Sequence, residues 1–233
     1  MSRSKRENGK MKKLPATTIA LLLASACAQA NVTFIKSDTV GNGQVNEAGV
    51  YFNGQVNNQT VTWLISALAE IRENYRNVHN IDVYLNSRGG DMDAGYVAYE
   101  TLRKSPITLN MINASVTASS ATLIYCASPE RYSMPMAQFM LHPAAAPDEK
   151  TDYIKPDQAR RILEEDENYN AIFRKVYASC TSLSREELEK ITDSETGRVI
   201  YPADEAAKHG LVTKGVRESH SYPLTYYITD SQG

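Results

Sequence analysis

The sequence lacks the short motifs by which nucleotide-binding and metal-binding loops are recognised. Neither a G-x-x-x-x-G-K-[ST] phosphate loop nor a G-x-G-x-x-G dinucleotide fingerprint occurs in its 233 residues. The three cysteines, Cys27, Cys126 and Cys180, do not have the C-x-x-C spacing of a zinc site. Internal repeats and low-complexity tracts are also absent. We therefore predict a function that uses no cofactor and no metal.

The chain also lacks an apolar run of comfortable membrane-spanning length, which is about 20 residues. The run LPATTIALLLASACAQA is shorter, follows six basic residues, and ends with Ala28, Gln29 and Ala30. A basic stretch, a short apolar core and an A-x-A site are typical of a secretory signal peptide. We expect cleavage after Ala30, no stable membrane span afterwards, and a periplasmic or secreted protein. An uncleaved anchor is the alternative.

The expected mature chain is acidic and has the size of one domain. Its composition, 42% apolar and 22% charged, is ordinary for a globular protein. Removing the first 30 of 233 residues leaves 203, enough for one substantial core. The same cut removes six basic residues and one acidic residue, so the net charge changes from −2 to −7. Nucleic-acid binding depends on neutralising phosphates with basic residues, so an acidic chain disfavours it.

Strands and helices alternate through the middle of the sequence. The apolar segments AGVYFNGQV, IDVYLNS and ITLNMIN read as strands, and each precedes a segment with helical spacing or small residues. This alternation predicts parallel β-α-β units in an α/β domain over residues 48–216. We predict VTASSATLIYCAS as a helix and YSMPMAQFMLH as two further extended segments. Residues 31–47 are predicted as a flexible arm, and 217–233 as a weakly structured tail without an assigned role.

The second half of the sequence is predicted to be mainly helical. A long amphipathic helix follows Pro156, and SREELEKI reads as a short helix with Ser184 and Glu187 as a capping box. YPADEAAKHGLV reads as another helix that ends at Gly210. Cys126 and Cys180 would both remain after signal cleavage. In an oxidising compartment they can pair, but the sequence leaves open whether they approach each other.

Two glycines follow the strand in the stretch YLNSRGGDMDAG. A Gly-Gly pair at this place indicates either a turn with positive φ or a close approach of the backbone to another group. In the second case, exposed N–H groups would bind a peptide or a developing oxyanion. The residues alone leave both alternatives open.

A serine and a histidine are the candidates for chemistry. Ser119 begins a segment of small residues, and the N-terminus of a helix offers free N–H groups. His142 is the one histidine that follows an apolar strand. A serine beside a histidine meets the needs of an activated nucleophile with an oxyanion hole. Taken one at a time, Ser119 reads first as a helix-packing residue and His142 as a hydrogen-bonded strand-end residue, and only their order along the chain favours chemistry.

The order of these segments resembles the proteolytic subunit of the Clp protease family. The segments that carry the resemblance are VYFNGQV, IDVYLNSRGGDMDAGYVAYETLR, SVTASSATLIYCA, RYSMPMAQFMLHP and DEAAKHGLV, in the family's order. The resemblance extends from about Gly49 to Val212. It implies an α/β fold of the ClpP/crotonase-like type, with repeated β-α-β units and a long handle helix. It also implies that subunits assemble through this helix into homo-oligomeric rings.

The resemblance also assigns roles to residues. Ser119 falls on the nucleophile and His142 on the general base of the family. The N–H groups of Gly90 and Ser120 fall on the oxyanion-hole donors. The neighbouring residues that would contact a substrate peptide, paired as a strand, are Gly89, Asp91 and Met92.

The chain departs from the family pattern at two places. Arg88 replaces the usual proline before the Gly-Gly pair and puts a cation at the cleft edge. For the acid that orients the histidine, counting forward from SREELEKI gives Glu195, with Asp193 nearby. Counting back from DEAAKHGLV gives Arg198, which cannot serve, and a small insertion around TGRVIY would explain the conflict. We narrowly favour Asp193, the family's residue type, over Glu195.

We predict an exported serine endopeptidase that acts on peptides or loosely folded chains. The family's partners are cytosolic ATPases, and ATP is not expected outside the cytoplasm, so we predict that the enzyme works without ATP. One alternative is a catalytically inactive relative that binds peptides by strand addition in the same cleft. A less favoured one is a crotonase-type acyl-CoA enzyme.

Overall fold

A mixed eight-stranded sheet forms the centre of the protein. The computed structural model describes residues 32–37, 40–146 and 153–230, so the predicted signal peptide lies outside the described residues. The strands are β1 Val32–Lys36, β2 Glu47–Asn53, β3 Asn80–Ser87, β4 Thr108–Ala118, β5 Arg131–Ser133, β6 Gln138–Leu141, β7 Val199–Pro202 and β8 Leu224–Thr229. The α-helices are α1 Asn58–Asn74, α2 Met92–Leu102, α3 Ser120–Tyr125, α4 Pro156–Cys180, α5 Arg185–Asp193 and α6 Ala203–Lys208.

The sheet has the order β1-β8-β2-β3-β4-β6-β7, and β5 pairs with β4. Strands β2, β3 and β4 are parallel neighbours, and α1 and α2 are the helices that connect them. This arrangement confirms the predicted β-α-β units. Strand β6 is also parallel to β4, so the carboxyl ends of β3, β4 and β6 meet at one edge of the sheet. The candidate site residues follow these strand ends.

The two faces of the sheet are covered by different parts of the chain. On one face, Val50, Val83 and Met111 are buried in the main core together with Leu64 of α1. Burial on both faces explains why these strands read as continuous apolar runs. On the other face, tyrosines of neighbouring strands stack, and the Tyr84 hydroxyl lies 2.7 Å from the hydroxyl of Tyr222. The segment before β8 therefore covers this second face.

Both predictions for the ends of the domain are wrong. The predicted flexible arm contains β1, and the predicted tail contains β8. Strand β8 pairs antiparallel with β1 and parallel with β2, so it lies within the sheet. Its sequence, LTYYIT, is rich in β-branched and aromatic residues, and Leu224, Tyr226 and Ile228 alternate toward the core. This alternation in the sequence indicates a strand, so β8 could have been predicted.

Two further boundaries differ from the prediction. Strand β4 continues to Ala118, so α3 contains only six residues and the predicted helix is too long. The segment in which we expected an insertion contains β7, Val199–Pro202, which pairs antiparallel with β6. Strand β7 therefore places the residues that precede it next to the end of β6.

The predicted helix ends are confirmed. Helix α4 begins at Pro156, and the two side chains of the capping box on α5 bind the expected backbone groups, Ser184 Oγ to Glu187 N at 3.2 Å and Glu187 Oε2 to Ser184 N at 2.7 Å. Gly210 follows α6 with φ of +74°. Within the described ranges, no helix has both the length and the apolar character needed to cross a membrane.

A disulfide joins Cys126 and Cys180, whose Cα atoms lie 5.6 Å apart. Cys126 caps the C-terminus of α3, and Cys180 is the last residue of α4. The pairing that the sequence left open is therefore present. It links the short helix after Ser119 to the long helix α4.

Candidate active site

Ser119 lies in a strained turn between β4 and α3. Its φ is +53° and its ψ is −135°, and it is the one non-glycine residue in the described part of the chain with positive φ. Such backbone conformations cost about 1–3 kcal/mol and persist only where neighbouring contacts hold them. Here the Ser119 carbonyl accepts hydrogen bonds from Thr122 N at 2.9 Å and Thr122 Oγ1 at 2.5 Å. The Thr122 hydroxyl in turn lies 2.7 Å from that of Tyr177.

Tyr177 ties this turn to the long helix α4. Its side chain is fully buried, and burial raises the pKa of its hydroxyl, which therefore stays neutral. The contact between the hydroxyls of Thr122 and Tyr177 joins α3 to α4 close to Ser119, and the Cys126–Cys180 disulfide joins the same two helices at their ends. Two separate connections thus hold the helix that follows the candidate nucleophile.

The Gly-Gly pair packs directly against Ser119. A Cβ atom at Gly89 would lie 2.5 Å from the Cβ of Ser119, and a Cβ at Gly90 would lie 2.3 Å from the carbonyl oxygen of Val56. Both glycines have positive φ, +96° and +149°. Both alternatives that the sequence left open, the positive-φ turn and the close backbone approach, are therefore present together.

Val56 sets the direction of the Gly90 amide. Val56 N donates to Gly89 O at 2.9 Å, and Asp91 N donates to Val56 O at 2.8 Å, which makes a parallel bridge between Val56 and Gly90. In such a bridge the N–H of the central residue points away from its partner. Within the described residues the Gly90 N–H donates to no acceptor. The N–H of Ser120, the first residue of α3, has no acceptor within that helix.

His142 follows the strand next to that of Ser119. Strands β4 and β6 are parallel with Ala118 opposite Met140, and Ser119 N donates to Met140 O at 3.3 Å. His142 is the first residue after β6, so both side chains start from the same sheet edge. The imidazole is 17% exposed. In the described part of the chain no hydrogen bond joins Ser119 Oγ to His142, a bond that in apo enzymes is often long and tightens on substrate binding.

Glu195, and not Asp193, is the carboxylate next to the histidine. Glu195 Oε2 lies 3.9 Å from His142 Nδ1, and its other oxygen accepts from Arg198 Nη1 at 3.0 Å. The Glu195 side chain is 61% exposed. Asp193 is exposed at the end of α5, and its carboxylate has no partner among the described residues. The geometry thus does not support the narrow sequence preference for Asp193.

The residues predicted to contact substrate have different surroundings. The Asp91 N–H already binds Val56, and the Asp91 carboxylate accepts from Ala94 N at 2.8 Å as the N-cap of α2. Met92 is the first residue of α2 and is buried. The Asp91 N–H is therefore already bound, whereas the Gly90 N–H donates to no acceptor among the described residues. Arg88 is exposed and has no partner in the part of the chain that the structure describes.

Sequence reasoning missed several residues that support the site. Val56 holds the glycine pair, and Thr122 and Tyr177 hold the turn at Ser119. Tyr177 lies on the apolar face of the predicted long amphipathic helix, whereas no local signal marks Val56. In the ranges that the structure describes, His, Cys, Asp and Glu side chains form no group of three that could hold a metal ion.

Comparison with known proteins assigns the family. The description "Clp protease" belongs to the family profile that matches residues 35–219, which is most of the 233-residue chain. The chain therefore belongs to the Clp protease family, as its resemblance predicted. Membership in this family supports a peptidase function in general.

Relatives and a solved structure agree with this assignment. The ATP-dependent Clp protease proteolytic subunit 3 of Rhizobium johnstonii is 27% identical over 170 residues, which cover 71% of this chain and 81% of that protein. The protein of the same name from Rhizobium etli is 28% identical over the same shares. A mutant of ClpP1 from Listeria monocytogenes is similar in structure, with a TM-score of 0.62 and 20% identity over 74% of this chain and 92% of that one. This similarity confirms the predicted fold class.

Proposed function

We propose that this protein is an exported serine endopeptidase that cleaves peptide bonds through an acyl-enzyme and does not require ATP. One observation carries the proposal. Ser119 occupies a strained turn against Gly89, the N–H groups of Gly90 and Ser120 beside it donate to no acceptor among the described residues, and His142 follows the neighbouring strand. A nucleophile, two oxyanion donors and a base thus lie at one sheet edge.

The mechanism assigns one step to each group. His142 removes the proton of Ser119 Oγ as this oxygen attacks the scissile carbonyl carbon. The carbonyl oxygen becomes an oxyanion, which accepts hydrogen bonds from the N–H groups of Gly90 and Ser120. His142 then donates its proton to the leaving amine. Water, deprotonated by His142, attacks the ester carbonyl carbon; the bond from this carbon to Ser119 Oγ then breaks, His142 returns the proton to Ser119 Oγ, and the peptide acid leaves.

Glu195 is the proposed orienting acid. Its carboxylate faces Nδ1 of His142, the nitrogen opposite the one that must serve Ser119. A hydrogen bond from Nδ1 fixes the tautomer and stabilises the imidazolium formed during attack. At 3.9 Å this contact is an ion-pair distance and not a hydrogen bond, so the acid has to move closer during turnover.

Export and ATP independence form one part of the proposal. The first 30 residues have the pattern of a signal peptide, and the Cys126–Cys180 disulfide is typical of oxidising compartments. The Rhizobium relatives carry "ATP-dependent" in their names. A chain outside the cytoplasm has no ATP supply, so we propose that its substrates are peptides or loosely folded chains that need no unfolding.

Ring assembly through α4 is a further part of the proposal. Large apolar side chains are exposed on α4 and in the segment before it, at Leu163, Tyr153 and Ile154. Exposed apolar side chains that form a contiguous patch are typical of interaction surfaces. We propose that a second copy of the chain covers them.

An inactive peptide-binding relative is the second candidate. The separation of Glu195 from His142, its exposure and its pairing with Arg198 favour this alternative. A cleft with free Gly90 and Ser120 amides but an unassisted imidazole would bind a peptide without cleaving it. Reactivity of Ser119 separates the two candidates.

The test uses mature protein from Asn31 onward and a fluorophosphonate probe, read by intact mass and peptide mapping. We expect one adduct on Ser119, and none in Ser119→Ala or His142→Ala, because an unactivated serine reacts slowly. Ser119→Ala should also abolish peptide cleavage while leaving the thermal midpoint unchanged. Peptidase activity that persists in Ser119→Ala would contradict the proposal. A folded but unlabelled wild-type protein would favour the peptide-binding relative.

A further inference from the structure

Asp230 binds the backbone just before Val56. It is the first residue after β8, and its Oδ2 accepts a hydrogen bond from Gln55 N at 2.5 Å. The contact is close, because a Cβ atom at Gly54 would lie 2.5 Å from the Asp230 Cγ. Gly54 has a φ of +131°. The glycine thus gives the carboxylate room to reach the amide, which lies 175 positions earlier in the chain.

The carbonyl of Gln55 also has a hydrogen-bond partner. The carbonyl of Gln55 accepts from Thr60 Oγ1 at 2.8 Å, so both backbone groups of Gln55 have fixed partners. Gln55 is an exposed residue outside the regular strand, where a backbone without such bonds would be free to rotate. Asp230 supplies the bond on the N–H side.

Val56, the residue after Gln55, is hydrogen-bonded to both neighbours of Gly90. Val56 is buried, and its N–H and C=O bind Gly89 and Asp91 on either side of Gly90. Rotation of the backbone at Gln55 would turn both groups of Val56 and loosen the bridge. The direction of the Gly90 N–H, which depends on this bridge, would change with it.

We propose that Asp230 is a positioning residue for the Gly90 oxyanion donor, acting through Gln55 and Val56. This inference rests on the proposed function, since it names what orients one donor of that site. Asp230 itself does not touch the substrate. A carboxylate suits the role because a charged acceptor makes a shorter and stronger bond to a backbone N–H than a neutral one. Strand β8, paired on both sides, provides a rigid base for it.

The size of the expected effect follows from the donor it orients. Removal of one oxyanion donor costs about 10²–10³ in kcat. Asp230→Ala leaves the Gly90 N–H in place but less well oriented, so we expect a loss of about tenfold in kcat. The KM should stay within about twofold, because a donor of this kind acts in the transition state.

The experiment compares the mature wild-type protein with Asp230→Ala, Asp230→Asn and Thr229→Ala. Thr229 is the matched control, since it is the neighbouring residue, exposed, and without a side-chain hydrogen bond among the described residues. We expect both kcat and the rate of fluorophosphonate labelling to fall about tenfold in Asp230→Ala, to recover largely in Asp230→Asn, which keeps an acceptor, and to be unchanged in Thr229→Ala. Thermal unfolding shows whether each variant is folded, and Asp230→Ser replaces Asp230→Ala if that protein does not fold.

A second readout keeps the result separate from the proposed function. Hydrogen exchange of the Asp91 amide, which the Val56 carbonyl protects, should be faster in Asp230→Ala than in the wild type. An unlabelled wild-type protein would end the proposed function, while faster exchange at Asp91 would still support the link from Asp230. Wild-type labelling with unchanged kcat and unchanged exchange in folded Asp230→Ala would overturn the inference.

Discussion

Glu195, the proposed orienting acid, has only a weak contact with His142. In a serine peptidase whose acid is buried, loss of that acid's charge costs about 10⁴ in kcat. Glu195 is 61% exposed, lies 3.9 Å from His142 and shares its charge with Arg198. Exposed ion pairs are worth about 0–1 kcal/mol because water screens them. The acid therefore has a weaker hold on the imidazole than a buried one.

We expect Glu195→Gln to lower kcat by about three- to tenfold, far less than loss of a buried triad acid. Asp193→Asn is the matched control, since it neutralises a nearby carboxylate that has no partner among the described residues, and it should change kcat by less than about twofold. Steady-state cleavage of a fluorogenic peptide measures both variants. A larger loss in Asp193→Asn than in Glu195→Gln would return the role to Asp193.

The candidate residues differ in how far the sequence could reveal them. Ser119 and His142 directly follow β4 and β6, and Gly90 lies three residues after β3, where apolar patterns are easy to recognise and the family resemblance is strongest. The choice between Asp193 and Glu195 depends on a two-residue difference at the end of α5, followed by the short 3-10 turn Glu195–Gly197. Local pattern does not encode which of two neighbouring acids faces His142.

Contacts between distant parts of the chain could not be predicted from the sequence, because they depend on which strands pair. Val56 meets Gly90 because β2 pairs with β3, and Asp230 meets Gln55 because β8 enters the sheet beside β2. Strand pairing is a tertiary choice, so a residue that binds across the sheet shows no sign of it in its own neighbourhood. The side chain of Asp230 looks like any polar residue near the end of a chain.

At the scale of elements, periodicity predicted most of the helices and parallel strands. Helices α1, α2, α4 and α5 bury one face each, and the sequence showed the capping box of α5 and the start of α4 at Pro156. The failures have physical reasons. The small residues before Ser119 suit a helix and a buried strand equally, and in the structure they extend β4 because β6 pairs with them. Strand β7 exists because β6 offers it an edge.

The disulfide is the element-scale feature that most directly supports the site. It joins the C-terminal end of α3, the helix that begins after Ser119, to the end of α4 across 54 positions of the chain. Closing a loop of this length removes chain entropy from the unfolded state and typically stabilises a protein by about 2–4 kcal/mol. Both cysteines are buried, so the bond should resist mild reductant in the folded state.

We expect the Cys126→Ala/Cys180→Ala double variant to have a free energy of unfolding about 2–4 kcal/mol lower than the wild type. Urea unfolding of the mature protein, followed by fluorescence, measures the difference. The same unfolding series with reductant should lower the midpoint of the wild type and leave that of the double variant unchanged. Two free thiols titrated in wild-type protein unfolded without reductant would show that Cys126 and Cys180 are not joined in solution.

At the scale of the whole molecule, both ends of the described chain lie in the sheet that carries the site. Strands β1 and β8 pair with each other, and β8 pairs with β2. Val32, the first described residue and the start of β1, is two positions after Ala30, where we expect the signal peptide to be removed. A processed chain that begins at Asn31 would keep all of β1.

Export is a prediction about the whole molecule, because signal-peptide cleavage and formation of the disulfide should occur together in the exported protein. We expect the full-length chain, expressed in a bacterial host with an outer membrane, to be found in the periplasm with Asn31 as its first residue. The processed protein should contain the Cys126–Cys180 bond, since the periplasm oxidises thiols and the cytoplasm keeps them reduced.

Two variants serve as controls: Ala30→Arg should block cleavage, and a chain that starts with Met followed by Asn31 should stay in the cytoplasm with free thiols. Intact mass of each fraction under non-reducing conditions measures all of these outcomes. An unprocessed wild-type chain with reduced cysteines in the cytoplasm would contradict export, and it would remove the reason for expecting activity without ATP.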